Sequence, residues 1–300
     1  MQEYNLAIAF DWEYDQDFIR LLEFIAHRHN LSTYVIWPYN LNETIQLIQN
    51  EDIKFDYLLD RASDTSQDFI KLQDLLKTKK VPILDRWEKL KWAANKATMH
   101  RVLSSEGIPV PQTIILSPYS VNDNINISEL KLKDVGIPFI IKPAVTSGGG
   151  AGVIKKAETV EDIIKARQEF PNASYLVQER VIPLEKDEKR FWFRGFYSCG
   201  LIKAVWWNDL IHVYDIITDE DIERYKLDPL FEIVGRMAQT CGVNFFSTEI
   251  ALNMKGEFMV IDYINEVCDM RLKSKFIDGV PDDLVRQISE QIVSYVQCAL

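Results

Sequence analysis

Through the first 85 residues, short apolar runs take turns with apolar residues at helical spacing, and few folds tolerate that pattern. Asn5 to Phe10, Thr33 to Trp37, Phe55 to Leu59 and Val81 to Leu84 read as strands. Between them, Asp17 to His29 carries Phe18, Leu21, Leu22 and Ile25 at helical spacing. Leu41 to Gln49 places Leu41, Ile45 and Ile48 on one face, and Gln67 to Lys77 continues the series. Such alternation predicts βαβ units around a parallel sheet. Ligands of parallel sheets bind beyond the carboxyl ends of the strands. Those ends read Asp11-Trp12-Glu13-Tyr14 after the first strand and Asp60-Arg61-Ala62-Ser63-Asp64 after the third. Their acidic groups favour an amine-bearing partner over a second polyanion.

After residue 85 the pattern changes. Arg86 to Glu106 predicts one long helix, stopped by Gly107 and Pro109. Residues 191–207 fit a hairpin broken at Cys199-Gly200. Phe245 to Leu252 and Glu257 to Ile264 fit a second one around Met254-Lys255-Gly256. Helices are expected over Val160 to Phe170, Leu230 to Cys241 and Asp283 to Gln297. The fold class is therefore α/β followed by α+β, divided into a parallel domain over 1–85 and a second domain over 86–300.

Composition excludes several classes. With 47% hydrophobic and 26% charged residues in a chain of 300, it is neither disordered nor collagen-like. No segment approaches the ~18 apolar residues of a membrane span. Lys and Arg number 34 against 45 Asp and Glu, a net charge of −11, which argues against a sequence-independent nucleic-acid binder. Cys199, Cys241, Cys268 and Cys298 form no CxxC pair and are expected to be buried, reduced thiols. The start, MQEYNLAIAFDWEYDQD, lacks the basic, then long apolar, character of a signal peptide, so a cytoplasmic location is expected.

Two constellations carry chemistry. Four of the twelve glycines lie between 148 and 152, just after a strand over Pro138 to Lys142 and before another over Val153 to Lys155. Glycine lets backbone amides approach phosphate oxygens without a Cβ in the way. The loop is neither a Walker A nor a G-x-G-x-x-G fingerprint. It fits a hairpin flap over a nucleotide, with Lys142 facing the phosphates; a plain flexible turn has the same composition. The terminal hairpin puts Glu249 and Asp262 inside apolar strands, with Asn265 just beyond. A carboxylate in such a strand is costly unless paired or bound to metal. Two of them with oxygen-only chemistry select Mg²⁺.

In this order and spacing, the lysines, glycine loop and acidic hairpin resemble the ATP-grasp superfamily, which includes D-alanine–D-alanine ligase, glutathione synthetase, biotin carboxylase and RimK-type ligases. The likeness covers roughly residues 80 to 272, and the βαβ domain looks like the family's N-terminal domain. The resemblance implies a two-lobed ATP-grasp fold, with a central flap lobe over about 110–180 and a C-terminal lobe over about 181–300.

It also implies roles. Lys96 and Lys142 would reach the ATP phosphates, and Ser147, Gly148, Gly149 and Gly150 would form the flap. Gln178, Glu179, Arg180, Val181 and Ile182 would pair with the adenine edge. Glu185 would hold the ribose, with Asp187 as competitor. Arg190 would stand near the reacting phosphate. Glu249 and Asp262 would bind Mg²⁺, or Mn²⁺ in its place, with either Asn265 or Glu266 completing the site. The family's usual E-x-N is one residue longer here, and its Pro-Gly turn is replaced by Glu266-Val267-Cys268-Asp269-Met270-Arg271. Arg271 is a candidate for a substrate carboxylate.

The activity implied is an ADP-forming ligase. A small-molecule or peptide carboxylate attacks the γ-phosphate, and an amine or thiol displaces phosphate from the acylphosphate. A hydroxyl kinase on the same nucleotide site and a non-catalytic nucleotide-binding module are the alternatives. Many members are oligomers, so a homodimer is compatible with the resemblance. The four histidines, His27, His29, His100 and His212, read as ordinary residues, and the seven tryptophans as core.

Overall fold

The computed structural model describes residues 1–124, 129–145 and 150–300, with residues 129–131 by backbone alone. The glycine-loop residues Ser147, Gly148 and Gly149 lie outside the described residues; Gly150 is within them, at φ +75°.

The alternating region folds as its periodicity predicts. Strands β1 (Gln2–Phe10), β2 (Thr33–Ile36), β3 (Ile53–Arg61) and β4 (Ile83–Leu84) form one parallel sheet in the order β2-β1-β3-β4. Helices α1 (Gln16–Arg28), α2 (Leu41–Gln49) and α3 (Gln67–Thr78) connect them. Ala7, Ala9, Phe55 and Leu58 pack with apolar residues of α2 and α3 in one buried cluster. Leu6, Ile8 and Phe10 join another with α1.

The predicted helix over Arg86 to Glu106 is two helices, α4 (Trp87–Ala94) and α5 (Lys96–Ser105). Asn95 breaks the run: its backbone is extended and its side chain accepts the amide of Thr98 at 2.9 Å. An Asn that caps a new helix outcompetes continuation of the old one. The break aims Lys96 at the start of α5, and its amide donates to the carbonyl of Ala144 at 2.9 Å.

Next comes an antiparallel sheet of β5 (Thr113–Leu116), β6 (Phe139–Pro143), β7 (Ile154–Ala157) and β8 (Tyr175–Gln178), in the order β5-β8-β6-β7. Helices α6 (Glu129–Val135) and α7 (Val160–Glu169) cover it. Thr159 and Asp162 close the start of α7 with a capping box. Strand β5 and helix α6 are too short to carry a periodic signal.

A two-stranded ribbon, β9 (Glu185–Lys186) and β10 (Lys189–Arg190), leads into the third sheet. Here β11 (Trp192–Ser198), β12 (Leu201–Asn208), β13 (Val213–Ile216), β14 (Phe245–Leu252) and β15 (Phe258–Asn265) run antiparallel in the order β13-β12-β11-β14-β15. Both predicted hairpins are present in it. Helix α8 (Asp219–Tyr225) follows β13, and α9 (Asp228–Cys241) packs on β11 and β12. The approach of α9 depends on Gly195 in β11, where a Cβ would meet Val234 Cγ2 at 2.5 Å.

Helix α10 (Asp282–Ala299) closes the chain, and its buried Val285, Ile288 and Ile292 join the core that contains Phe18 and Leu22 of α1. Chain from both ends of the sequence therefore shares one core. Cys199, Cys241 and Cys268 are buried, whereas Cys298 is exposed, contrary to the expectation for it. No helix among the described residues is long and apolar enough to cross a membrane.

Candidate active site

The third sheet carries a row of charged side chains on one face. Arg194 of β11 pairs with Glu249 of β14, and Glu249 pairs with Asp262 of β15. Directly opposite residues of antiparallel strands share a face, so three charges line up across three strands. Arg194 Nη1 donates to Glu249 Oε1 at 2.5 Å, and its Nε donates to Ser247 Oγ at 3.2 Å. Trp192 Nε1 donates to Glu249 Oε2 at 3.2 Å.

Strand β15 departs from regular pairing twice, and both departures serve this site. Ser247 pairs with Asn265 and Glu249 with Asp262, so three residues of β14 lie opposite four of β15. That bulge absorbs the extra residue of Asp262-Tyr263-Ile264-Asn265 and returns Asp262 and Asn265 to the same face. A second irregularity lies between Glu249, paired with Asp262, and Ile250, paired with Val260, and leaves Ile261 outside the register. The Ile261 carbonyl accepts Lys142 Nζ at 2.9 Å. Lys142 comes from the end of β6, and Lys96 Nζ from α5 stands 3.5 Å from Asp262 Oδ1.

Three cations thus gather around two carboxylates. Burial alone would raise the Asp262 pKa; Lys96, Lys142 and Arg194 reverse that and hold it below the usual carboxylate range. Glu249 is pushed up by burial and by the Asp262 charge, against Arg194. Burial pulls the Lys142 ammonium down to about 8. Glu266, beyond the end of β15, is raised to about 7 by burial and by nearby Asp64 and Asp262.

Among the described residues no three His, Cys, Asp or Glu side chains cluster as metal ligands. The donor set here is two carboxylates and the amide of Asn265. It suits Mg²⁺, which takes one or two protein carboxylates and completes its shell with water and phosphate oxygens.

Other expected site residues are placed as follows. Segment 179–184 leads from β8 toward the third sheet. The Glu179 amide donates to Gln112 O at 2.8 Å, and Leu184 N donates to Leu252 O at 2.7 Å. Arg180 and Ile182 are exposed, and Val181 is half-buried. Glu185 lies on the ribbon, where its Oε1 accepts from Arg190 Nη1 at 2.6 Å. Arg190 also forks onto Asp209, at 2.5 and 3.1 Å. It is Arg194, not Arg190, that stands in the acid row. Asp187 is taken up by Arg224 Nη2 at 2.8 Å and Tyr225 Oη at 3.0 Å.

Arg271 is engaged by Asp269 and Asp278, with Nη2 2.7 and 2.9 Å from them, and its guanidinium lies 5.8 and 5.2 Å from the ring centres of Trp12 and Phe276. Asp60 is buried as a turn cap, accepting the amides of Ala62 and Ser63 at 2.8 and 3.0 Å. Arg61 is buried against Asp15. Of the third strand end's charged groups, only Asp64 is exposed.

Sequence reasoning did not single out Arg194 or Trp192 of this row, nor His100 of α5, whose Nδ1 lies 2.7 Å from the hydroxyl of Tyr263, the residue after Asp262. Arg194 was detectable by the rule applied to Glu249, since it is a lone charge in the aromatic run Trp192-Phe193-Arg194-Gly195-Phe196. His100 carries no such signal. A concavity of about 730 Å³, lined by Lys77, Asp85, Arg86, Lys89 and Asn244 among others, does not include the acid row.

No family model matches the chain, and no curated protein matches it by sequence. Solved structures do match it along its whole length, and the fold they define is the ATP-grasp fold, which this chain has. A RimK domain ATP-grasp protein from Sphaerobacter thermophilus superposes with TM-score 0.64 at 18% identity, covering 97% of this chain and 98% of its own. A D-alanine–D-alanine ligase from Bacillus anthracis, solved with ATP, gives TM-score 0.65 at 13% identity, covering 99% and 98%. The ATP-grasp ligase PsnB, solved with the precursor peptide PsnA2 and AMPPNP, gives 0.62 at 12%, covering 99% and 100%.

Proposed function

We propose that this chain is a Mg·ATP-dependent ligase that activates a carboxylate as an acylphosphate and transfers the acyl group to an amine or thiol. The observation that carries the reading is the row Arg194–Glu249–Asp262 with Lys96 and Lys142 closing on it. It is a cationic, oxygen-rich cluster on one face of a sheet, suited to a polyphosphate. The similar structures support ATP as its nucleotide and a small or peptide carboxylate as its substrate. Glu249, Asp262 and Asn265 would hold Mg²⁺, which when bound neutralises phosphate charge and fixes phosphate geometry.

The chain's own groups then have distinct tasks. Lys142 and Lys96 bind phosphate oxygens, and Arg194 stabilises charge that develops during phosphoryl transfer. Glu249 keeps the Arg194 fork oriented. Segment 179–182, in which Arg180 and Ile182 are exposed, would face the base. No side-chain nucleophile is required, because the substrate carboxylate attacks the γ-phosphate. The phosphoryl–oxygen bond to ADP breaks as the acylphosphate forms, and the acceptor then displaces phosphate.

The test is ADP release from Mg·ATP in the presence of a metabolite and peptide extract, with and without hydroxylamine. A hydroxamate, absent in the Lys142→Ala variant, supports the ligase and identifies the acid by mass. ADP with a phosphate ester and no hydroxamate replaces it with a kinase. No Lys142-dependent ADP release refutes the site.

A further inference from the structure

The Tyr263 hydroxyl is where three parts of the molecule meet, with Gln178 and His100 both within hydrogen-bond distance of it. Gln178 Nε2, at the end of β8, lies 3.0 Å from Thr113 Oγ1 and 2.9 Å from Tyr263 Oη. An amide NH₂ has two hydrogens, and here both are donated. The Tyr263 oxygen therefore accepts from Gln178, and it shares a second hydrogen bond with His100 Nδ1, 2.7 Å away. His100 is uncharged in this setting. Burial and the charge of Lys142 keep it so, drawing its pKa down to about 4. Tyr263, Gln178 and His100 are all buried.

What these bonds hold is the phosphate-binding apparatus. Lys142 Nζ sits 5.3 Å from the centre of the Tyr263 ring, a cation–π contact in a desolvated setting. The ring and the Ile261 carbonyl hold the ammonium where the charges of Asp262, Lys96 and Glu249 act on it. Lys96 and His100 are four apart on α5 and so share a face. They engage consecutive residues of β15, Asp262 and Tyr263. Gln178 precedes the segment read as the adenine edge.

We infer that Tyr263 is a positioning residue whose hydroxyl, locked between Gln178 and His100, aligns Lys142, Lys96 and the β8 edge on the acid row. This rests on the nucleotide-site reading above. A single buried oxygen thereby couples the flap sheet, helix α5 and the third sheet. Loss of the lock loosens ATP binding more than it loosens the fold.

The experiment is calorimetric titration with Mg·ATP, alongside thermal unfolding, on the full chain and four variants. Tyr263→Phe keeps the ring and removes the hydroxyl. His100→Leu removes the polar partner, and His100→Asn restores one near the Nδ1 position. Leu103→Ala, a core truncation one turn along α5, destabilises without touching the joint. The expected result is a Kd at least about tenfold higher for Tyr263→Phe and His100→Leu, recovery to within about threefold in His100→Asn, and little change in Leu103→Ala. The inference is overturned if Leu103→Ala weakens ATP as much as Tyr263→Phe does, or if His100→Asn binds no better than His100→Leu. The His100 comparison stands even if Tyr263→Phe does not fold. Failure of the unaltered chain to bind Mg·ATP refutes the nucleotide site itself, a result distinct from either.

Discussion

Arg194 and Glu249 face each other on neighbouring strands, Nη1 to Oε1 at 2.5 Å, with side chains only 12% and 20% exposed. Arg190, four residues earlier, forks instead onto Asp209 beside the ribbon. The two arginines should therefore behave differently. Arg194→Met leaves a largely buried carboxylate unpaired, at a cost of about 3 kcal/mol in stability. Under the proposed ligase reading it also removes a donor to the reacting phosphate, so turnover should fall at least about 100-fold. Arg190→Met loses a partly solvated pair worth about 1 kcal/mol or less, and turnover should stay within about tenfold. Urea unfolding and ADP-release kinetics on both variants decide this; equal losses of turnover would deny Arg194 its special place.

Lys142 should impose a pH limit on ATP binding. Its ammonium faces the Ile261 carbonyl and Tyr263 ring of β15, Asp262 and Glu249 on the acid row, and Lys96 from α5. Burial brings its pKa down to about 8. Above that value the free protein loses the charge that a polyphosphate needs. Bound ATP favours the protonated lysine, so the KM for ATP should rise past pH 8, by roughly tenfold per unit in the limit, while kcat holds longer. Lys142→Arg, whose guanidinium keeps its proton, should flatten the profile whatever it costs in rate. A KM for ATP that is constant from pH 7 to 9.5 in the unaltered chain would contradict the assignment.

How far the sequence carries these conclusions depends on the range of the forces involved. Strand–helix alternation and both hairpins are local periodicities, and they are legible. Glu249 and Asp262 are legible too, because a charge in an apolar strand needs a reason. The break at Asn95 is hidden because a cap inside a helical pattern looks like an ordinary polar residue until the chain turns there. Arg190 draws attention as one charge in Glu188-Lys189-Arg190, whereas Arg194 is set among aromatic residues and is passed over. Spacing alone makes Asp262 and Asn265 fall on opposite faces of a strand. Only the bulge, a property of two strands together, brings them back. His100 is 163 residues from Tyr263, and nothing local marks it.

Arg61 and Asp15 should prove a structural latch between the first domain and the loop after β15. Their side chains are 1% and 0% exposed, and Arg61 meets Asp15 at 2.7 and 2.8 Å. Arg61 Nη2 also donates to the Cys268 carbonyl at 2.9 Å, and the guanidinium lies over Phe18 and Phe245. Asp15→Asn leaves a buried cation without its partner and should cost about 3–5 kcal/mol. Removing both charges, with Asp15→Leu and Arg61→Met, should cost less than either single loss, since no unpaired charge remains. A double-mutant cycle by urea unfolding measures the difference. Strictly additive losses would mean that the pair contributes only packing.

Glu266 should be a source of instability that Mg·ATP chemistry does not need. Burial, with the charges of Asp64 and Asp262 nearby, raises its pKa from 4.5 to about 7. Between those values the folded chain binds the proton more tightly than the unfolded one. The contribution of Glu266 to stability is therefore fully present below pH 4.5 and is lost as pH rises through 7. Glu266→Gln keeps the neutral shape at every pH. It should match the unaltered chain near pH 5 and exceed it at pH 8 by about 1 kcal/mol, allowing for solvent at a partly exposed site. Thermal unfolding at the two pH values, without nucleotide or metal, reads this as a gap that opens with pH. If Glu266 instead completes the metal site in place of Asn265, the stabilised variant should also need more Mg²⁺ to reach half-maximal ADP release. An unchanged Mg²⁺ requirement leaves Asn265 as the third donor, on the face to which the bulge returns it.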